Sequence, residues 1–160
     1  MSASEGGVTL RRLTDTDRAA FATITIPPAQ ETFGGRPEAA FDDLPEHMDL
    51  YGIETAEGPA GLFRIDRGYG AYDFAAQDEV GLRYFIVDHR QQGRGIAAAA
   101  LGQLPDVLRR DYPDAPSIAL TVNCRNLGAY RVYERAGFKD TGALYLGGGA
   151  GPQHIMRLGL

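Results

Sequence analysis

The chain has 160 residues, 44% of them hydrophobic and 23% charged, with a formal net charge of −5. That length fits one globular domain spanning 1–160, able to bury about 70% of its unfolded surface without covalent staples, and the acidic balance lacks the basic face that nucleic-acid phosphates demand. The single cysteine, Cys124, excludes an intramolecular disulfide and a multi-cysteine zinc site, and His47, His89 and His154 show no metal-ligand spacing.

The start, Met1 to Gly7, has no basic region followed by an apolar one, and no apolar run approaches the roughly 18 residues that span a bilayer. The expectation is a cytoplasmic protein with no membrane, nucleic-acid or metal partner. Val8 to Leu13 alternates as an opening strand. Thr14 and Asp17 have the spacing of a capping box and predict a helix burying Ala20, Phe21 and Ile24, ended by Pro27-Pro28. Pro37 begins a second short helix carrying Ala39, Ala40 and Phe41, which stops before Pro45. Leu50 to Glu54 and Gly61 to Ile65 flank the turn Glu57-Gly58-Pro59 and predict a hairpin. Arg67 to Asp78 reads as an aromatic-bearing loop, and Val80 to Val87 as the next strand.

After the turn Asp88 to Gly95, an Ala-rich helix is predicted from Ile96 toward Arg110, kinked or broken at Pro105. Ile118 to Val122 is a strand. Asn126 to Ala136 is a helix closed by Gly137, and Phe138 onward pairs with His154 to Leu158 across the loop Gly147 to Gly151. The order is strand, two helices, three strands, helix, strand, helix, two strands. That is an α+β (mixed α/β) arrangement, with antiparallel strands first and a βαβ unit in the second half.

The sharpest local signal is Val87-Asp88-His89-Arg90-Gln91-Gln92-Gly93-Arg94-Gly95-Ile96-Ala97. A strand runs through a two-glycine turn into a helix. Glycines allow positive φ and close approach of a ligand to the main chain. The N–H groups of Gly93, Arg94, Gly95 and Ile96 can converge on an anion, assisted by the helix dipole. Arg90 and Arg94 add positive charge, and the whole suits a pyrophosphate. Gly93-x-Gly95-x-x-Ala98 also satisfies the dinucleotide-binding pattern, although the next strand ends in Val122-Asn123 without the carboxylate that pattern needs. A turn with no ligand is the third reading.

The segment Arg90-x-x-Gly93-x-Gly95 resembles the acetyl-CoA signature of the GNAT N-acetyltransferase superfamily. Asn126-Leu127-Gly128-Ala129-Tyr130-Arg131-Val132-Tyr133-Glu134-Arg135-Ala136-Gly137-Phe138 resembles that family's second signature. Ile26-Pro27-Pro28-Ala29-Gln30 and the chain ending are loosely similar to bacterial spermine/spermidine-type acetyltransferases. The resemblance implies a mostly antiparallel, six- to seven-stranded mixed sheet with about four helices, whose fourth strand bulges and splays from the fifth. It implies acetyl-CoA as co-substrate. Main-chain N–H groups at Phe85, Ile86 and Val87 would hold the pantetheine arm, and Val87 would also hold the oxyanion. Gln92, Gly93, Gly95, Ile96 and Ala97 would line the pyrophosphate turn with Arg90 and Arg94. Asn126 and Ala129 would sit beside the arm, and Tyr133 would protonate the departing thiolate. Helical spacing independently puts Asn126, Ala129, Tyr130 and Tyr133 on one face; Tyr130 is read as packing.

The expected reaction is direct attack of a small-molecule primary amine on the thioester. An aliphatic amine has a pKa near 10.4, so its proton must go somewhere. Many relatives carry a glutamate on the central strand. This strand reads Gly81-Leu82-Arg83-Tyr84-Phe85, which leaves Glu79 or Asp78, at its mouth, to act through water. Glu31, Glu38, Asp42, Asp43 and Glu46 read either as a polyamine-attracting group or as a solvated helix face. Such relatives often form dimers, so a homodimer stays open, as does the identity of the amine. Cys124 reads as a packing residue. Two other functions remain: a GNAT-like module that binds acyl-CoA without turnover, and a nucleotide-binding oxidoreductase.

Overall fold

The computed structural model describes residues 7–25, 41, 42 and 44–160. The helix expected at Pro37 lies outside them. Seven strands form one sheet: β1 (Thr9–Arg12), β2 (Met48–Thr55), β3 (Gly58–Asp66), β4 (Val80–Val87), β5 (Ser117–Asn123), β6 (Lys139–Tyr145) and β7 (Gln153–Gly159). Their order across the sheet is β1-β2-β3-β4-β5-β7-β6. Every neighbouring pair is antiparallel except β4 and β5. A parallel pair needs a crossover, and the helix α2 (Ile96–Asp111) provides it. Two further α-helices are described, α1 (Arg18–Phe21) and α3 (Leu127–Arg135). The architecture is therefore the expected mixed α+β sheet.

The two faces of the sheet carry different helices. Alternation along the strands sends Tyr51, Phe63, Ile65, Val80 and Leu82 to one face, where they pack with Leu101, Leu104 and Leu108 of α2. The other face holds Phe21 and Ile24 against Leu13, Leu50, Leu62 and Ile86. Ala20, expected in that buried stripe, is exposed, because the helix is a single α-turn behind a 3₁₀ turn and turns only Phe21 inward. The capping pair at its start is real: the Thr14 N–H donates to the Asp17 carboxylate at 2.9 Å.

Pro105 neither breaks nor ends α2, which runs through to Asp111. An interior proline costs about 3 kcal/mol. Burying a leucine side chain gains about 1.5–3 kcal/mol, so Leu101, Leu104 and Leu108, on both sides of the proline and at most 1% exposed, outweigh it. The hairpin also tightens relative to expectation. Gly58, at φ +115, and Pro59 belong to β3 rather than to the turn, which is left to Ala56 and Glu57.

Two irregularities in β4 open the middle of the sheet. Leu62 pairs with Ile86 but Arg64 pairs with Arg83, so β4 carries one extra residue at Tyr84–Phe85. Tyr84 takes φ +55 there. On its other side β4 pairs with β5 only at Val80–Ile118 and Gly81–Ala119, after which the two strands part.

Candidate active site

The parting of β4 and β5 opens a cleft of about 1310 Å³. The C-terminal half of β4 forms one wall, Leu120 to Asn123 of β5 and the cleft-facing residues of α3 form the other, and the start of α2 closes one end. N–H groups alternate in direction along a strand. The Asp88 N–H donates to the Ala60 carbonyl of β3 at 2.7 Å, so the Val87 N–H points the opposite way, into the gap that β5 vacates. The Val87 carbonyl, on that same side, accepts from the Gln92 side chain at 3.1 Å rather than from a strand. By the same alternation the Ile86 N–H turns back toward β3, so of these two neighbouring donors Val87 is the one offered to a ligand.

The glycine turn sits at the cleft end. Gly93 (φ +85) and Gly95 (φ +77) occupy the left-handed region, where a side chain is strained. A Cβ at either would meet no protein atom within 4 Å, so packing does not demand the glycines; the backbone path does. Gly95 is the N-cap of α2 and supplies no side chain to the helix terminus. The first-turn N–H groups, which have no acceptor within a helix, are therefore presented to the cleft mouth with the positive end of the dipole.

Across the gap, Asn126 caps α3, its side-chain oxygen accepting from the Ala129 N–H at 3.3 Å. Tyr133 lies about two turns on, its ring edge-on to Phe85 (centroids 6.1 Å) and Phe138 (5.8 Å). Among the described residues its hydroxyl makes no hydrogen bond, and burial pushes its pKa well above the ordinary tyrosine value. A phenol held this way keeps its proton across the physiological range. No Asp, Glu or His among the described residues lines the cleft.

The acetyltransferase (GNAT) family model matches residues 18–138. The chain belongs to this family. Among solved structures, the aminoglycoside acetyltransferase AAC(6')-Ib in complex with paromomycin and acetyl-CoA is similar at 21% identity, with 96% of this chain and 93% of that one covered and a TM-score of 0.76. The spermidine N-acetyltransferase from Vibrio cholerae, in complex with CoA and spermine, is similar at 19% identity, with 96% of each chain covered and a TM-score of 0.70. Such identities speak for the fold alone. Among curated proteins no match is found.

Within this GNAT fold, Phe85, Ile86, Val87, Gln92, Gly93, Gly95, Ile96, Ala97, Asn126, Ala129 and Tyr133 all line the one cleft, although they come from three stretches of sequence. Three expected residues, Arg90, Arg94 and Glu79, are placed elsewhere. Arg90 does not line the cleft: it pairs with Asp88 at 2.8 Å and donates to the Thr23 carbonyl at 2.8 Å, tying the turn to the end of α1. Asp88 is buried, which alone would raise its pKa, but hydrogen bonds from Arg90 and Thr25 bring it below the usual carboxylate range. Arg94 reaches out to Glu57 at 3.4 Å, an exposed pair of little energetic weight.

Glu79 is the clearest correction. Its side chain is fully buried, contacting Arg157 (2.5 and 3.0 Å), the Ser117 hydroxyl (2.6 Å) and the Ala76 N–H (3.1 Å). A carboxylate so saturated, and outside the cleft, is structural rather than a proton acceptor. Tyr130, read from the sequence as packing, lies outside the cleft lining. It donates to Asp140 at 3.0 Å and packs on His154 at 4.8 Å.

Sequence reading missed the far end of the cleft, lined by Tyr69, Tyr72, Arg83, Tyr145, Gly148 and Gln153. The Gly147 to Gly151 loop, read from the sequence as the connection between the last two strands, lines this end at Gly148. Asn123 and Arg125 both donate to the Ala150 carbonyl (2.9 and 2.7 Å), and the Cys124 N–H donates to Pro152 at 3.0 Å, so the loop is anchored to the β5–α3 turn. The run of glycines carries no signal of that anchoring.

No group of three or more His, Cys, Asp or Glu residues able to hold a metal occurs among the described residues. No helix among them is long and apolar enough to cross a membrane.

Proposed function

We propose that this chain is an acetyl-CoA-dependent N-acetyltransferase that moves an acetyl group to a primary amine by direct attack. The observation that supports it best is the gap between β4 and β5, which aims the Val87 N–H at the space beside Tyr133 while the uncapped start of α2 stands at its end. The glycine turn, from Gln92 to Ala97, would take the pyrophosphate on N–H groups, with exposed Arg94 free to swing toward it. The pantetheine arm would run along the open edge of β4 like an added strand, past Asn126 and Ala129. The amine nitrogen attacks the thioester carbonyl and a C–N bond forms. The Val87 N–H stabilises the oxyanion. As the C–S bond breaks, Tyr133 gives its proton to the sulfur, and the proton lost by the amine leaves through water. The reading carries a small-molecule amine as partner, a cytoplasmic setting and no metal.

The test is amine-dependent release of free CoA thiol from acetyl-CoA, assayed across primary amines. Turnover with at least one, abolished by boiling, is the expected result. The lack of a carboxylate or imidazole in the described lining favours one alternative, a non-catalytic acyl-CoA-binding module. Tight acetyl-CoA binding without thiol release for any amine would establish it instead.

A further inference from the structure

The cleft is lined by residues of both faces of the sheet, and its two ends differ in chemistry. The α2 side carries the glycine turn, Asn126 and Tyr133. The other end is reached from the α1 side. The Tyr69 ring lies over Gly81, whose missing side chain makes the room, and Arg83, two residues on, shares that face of β4. Tyr69, Tyr72, Phe74 and Tyr145 pack as one wall: Tyr72 lies 5.0 Å from Tyr69 and 5.1 Å from Phe74 by ring centroids, and Tyr145 meets Tyr72 edge-on at 5.6 Å. Three of these rings line the cleft.

Arg83 is the charged group set in this wall. Its guanidinium lies over the Tyr72 ring at 5.4 Å and donates to the Tyr72 hydroxyl. Its counter-ion, Asp66, is 3.8 Å away, and one Asp66 oxygen already accepts from the Gly68 N–H at 2.8 Å. The Arg83 side chain keeps a third of its surface exposed. A guanidinium has five donors in a flat fork, and these contacts leave several of them to the cleft. Held against an aromatic ring and only loosely neutralised, Arg83 is poised to take a planar anion two-pronged.

We infer that this end of the cleft is the acceptor subsite, and that its acceptor is an amine that also carries a carboxylate, with an aromatic or other flat apolar body. Arg83 takes the carboxylate, the Tyr69–Tyr72–Tyr145 wall takes the body, and the amine points through the β4–β5 gap at the thioester. The inference rests on the N-acetyltransferase reading of the cleft. A polycation fits this end poorly: a second ammonium would face Arg83, and no described residue of the lining offers a carboxylate against it.

The experiment compares L-phenylalanine, L-phenylalaninamide and spermidine as acceptors for acetyl-CoA, at a pH where the α-amines are largely neutral. Phenylalanine and its amide share ring and amine and differ in the carboxylate. The expected kcat/KM for phenylalanine exceeds that for the amide by about tenfold or more, as for a charge-assisted hydrogen bond. Arg83→Gln should bring that ratio to about one, while Arg83→Lys keeps part of it. The acetyl-CoA-induced rise in melting temperature, measured on both variants, shows that the fold and co-substrate site persist. An amide or spermidine turned over as well as phenylalanine, equal loss on all three acceptors in Arg83→Gln, or acetyl-CoA binding with no turnover of phenylalanine overturns the acceptor inference. Failure of acetyl-CoA to bind the unaltered protein overturns the N-acetyltransferase reading beneath it.

Discussion

Tyr133, half-buried at the cleft wall, and Glu79, fully buried, are both ionisable side chains whose partners decide their roles. Tyr133 has aromatic neighbours and no hydrogen bond among the described residues, so burial alone acts on it and the phenol stays protonated. In the proposed reaction the pH–rate profile then rises toward the amine's own pKa and shows no fall before about pH 10, the ordinary tyrosine value. Tyr133→Phe should lower kcat about 10²-fold, at the low end for general acid catalysis, with the KM for acetyl-CoA little changed. Steady-state kinetics on the variant checks both. Burial by itself would raise the Glu79 pKa, but hydrogen bonds from Arg157, Ser117 and Ala76 more than offset it, and the group titrates below its usual value. A depressed carboxylate contributes stability that is present above its unfolded pKa, about 4.3, and is lost as pH falls through the lower folded value. Glu79→Gln leaves Arg157 without its counter-ion and should cost about 2–3 kcal/mol near neutral pH. That deficit shrinks as acid protonates the wild-type carboxylate. Urea denaturation of both proteins at neutral and acid pH measures it; an unchanged midpoint at neutrality would show the pair to be idle.

The strands, helices and glycine turn were legible where the chain itself carries the cause. β4 spans the residues its apolar run marks, Asn126 caps the helix it precedes, and Gly93 and Gly95 hold the positive φ their turn requires. What stayed hidden depends on contacts distant in sequence. Arg90 reads as a phosphate ligand beside two glycines, yet Asp88 and the Thr23 carbonyl hold it. Glu79 finds Arg157 seventy-eight positions away. Tyr145 joins Tyr72 and Phe74 only because β6 folds back beside them. Pro105 is the element whose local rule lost to packing. Pro105→Ala restores an N–H for the Leu101 carbonyl and removes the ring clash, while giving back unfolded-state entropy worth about 0.4–1 kcal/mol. The helix interior term, about 3 kcal/mol, is the larger. The variant should be more stable by about 2–2.5 kcal/mol, seen as a higher urea midpoint at unchanged m-value.

For the molecule as a whole, the cleft has a thermodynamic consequence. Both of its walls, β4 on one side and β5 with α3 on the other, belong to the same sheet and core, and only two residue pairs hold the strands together where they meet. A ligand lying along the gap bridges walls that the protein alone leaves apart, and it binds only the folded chain. Acetyl-CoA at about a hundred times its dissociation constant should then add roughly 2.7 kcal/mol to the unfolding free energy. For a domain of this size that is a rise of several degrees in melting temperature. Gly95→Ala separates this effect from non-specific stabilisation. Its Cβ meets no protein atom, so the direct cost is the strain of φ +77, about 1–2 kcal/mol. The same Cβ projects into the space where the pyrophosphate is proposed to sit, so the variant should melt lower on its own and lose most of the acetyl-CoA shift. An undiminished shift in Gly95→Ala would mean that the co-substrate is held elsewhere than on the start of α2.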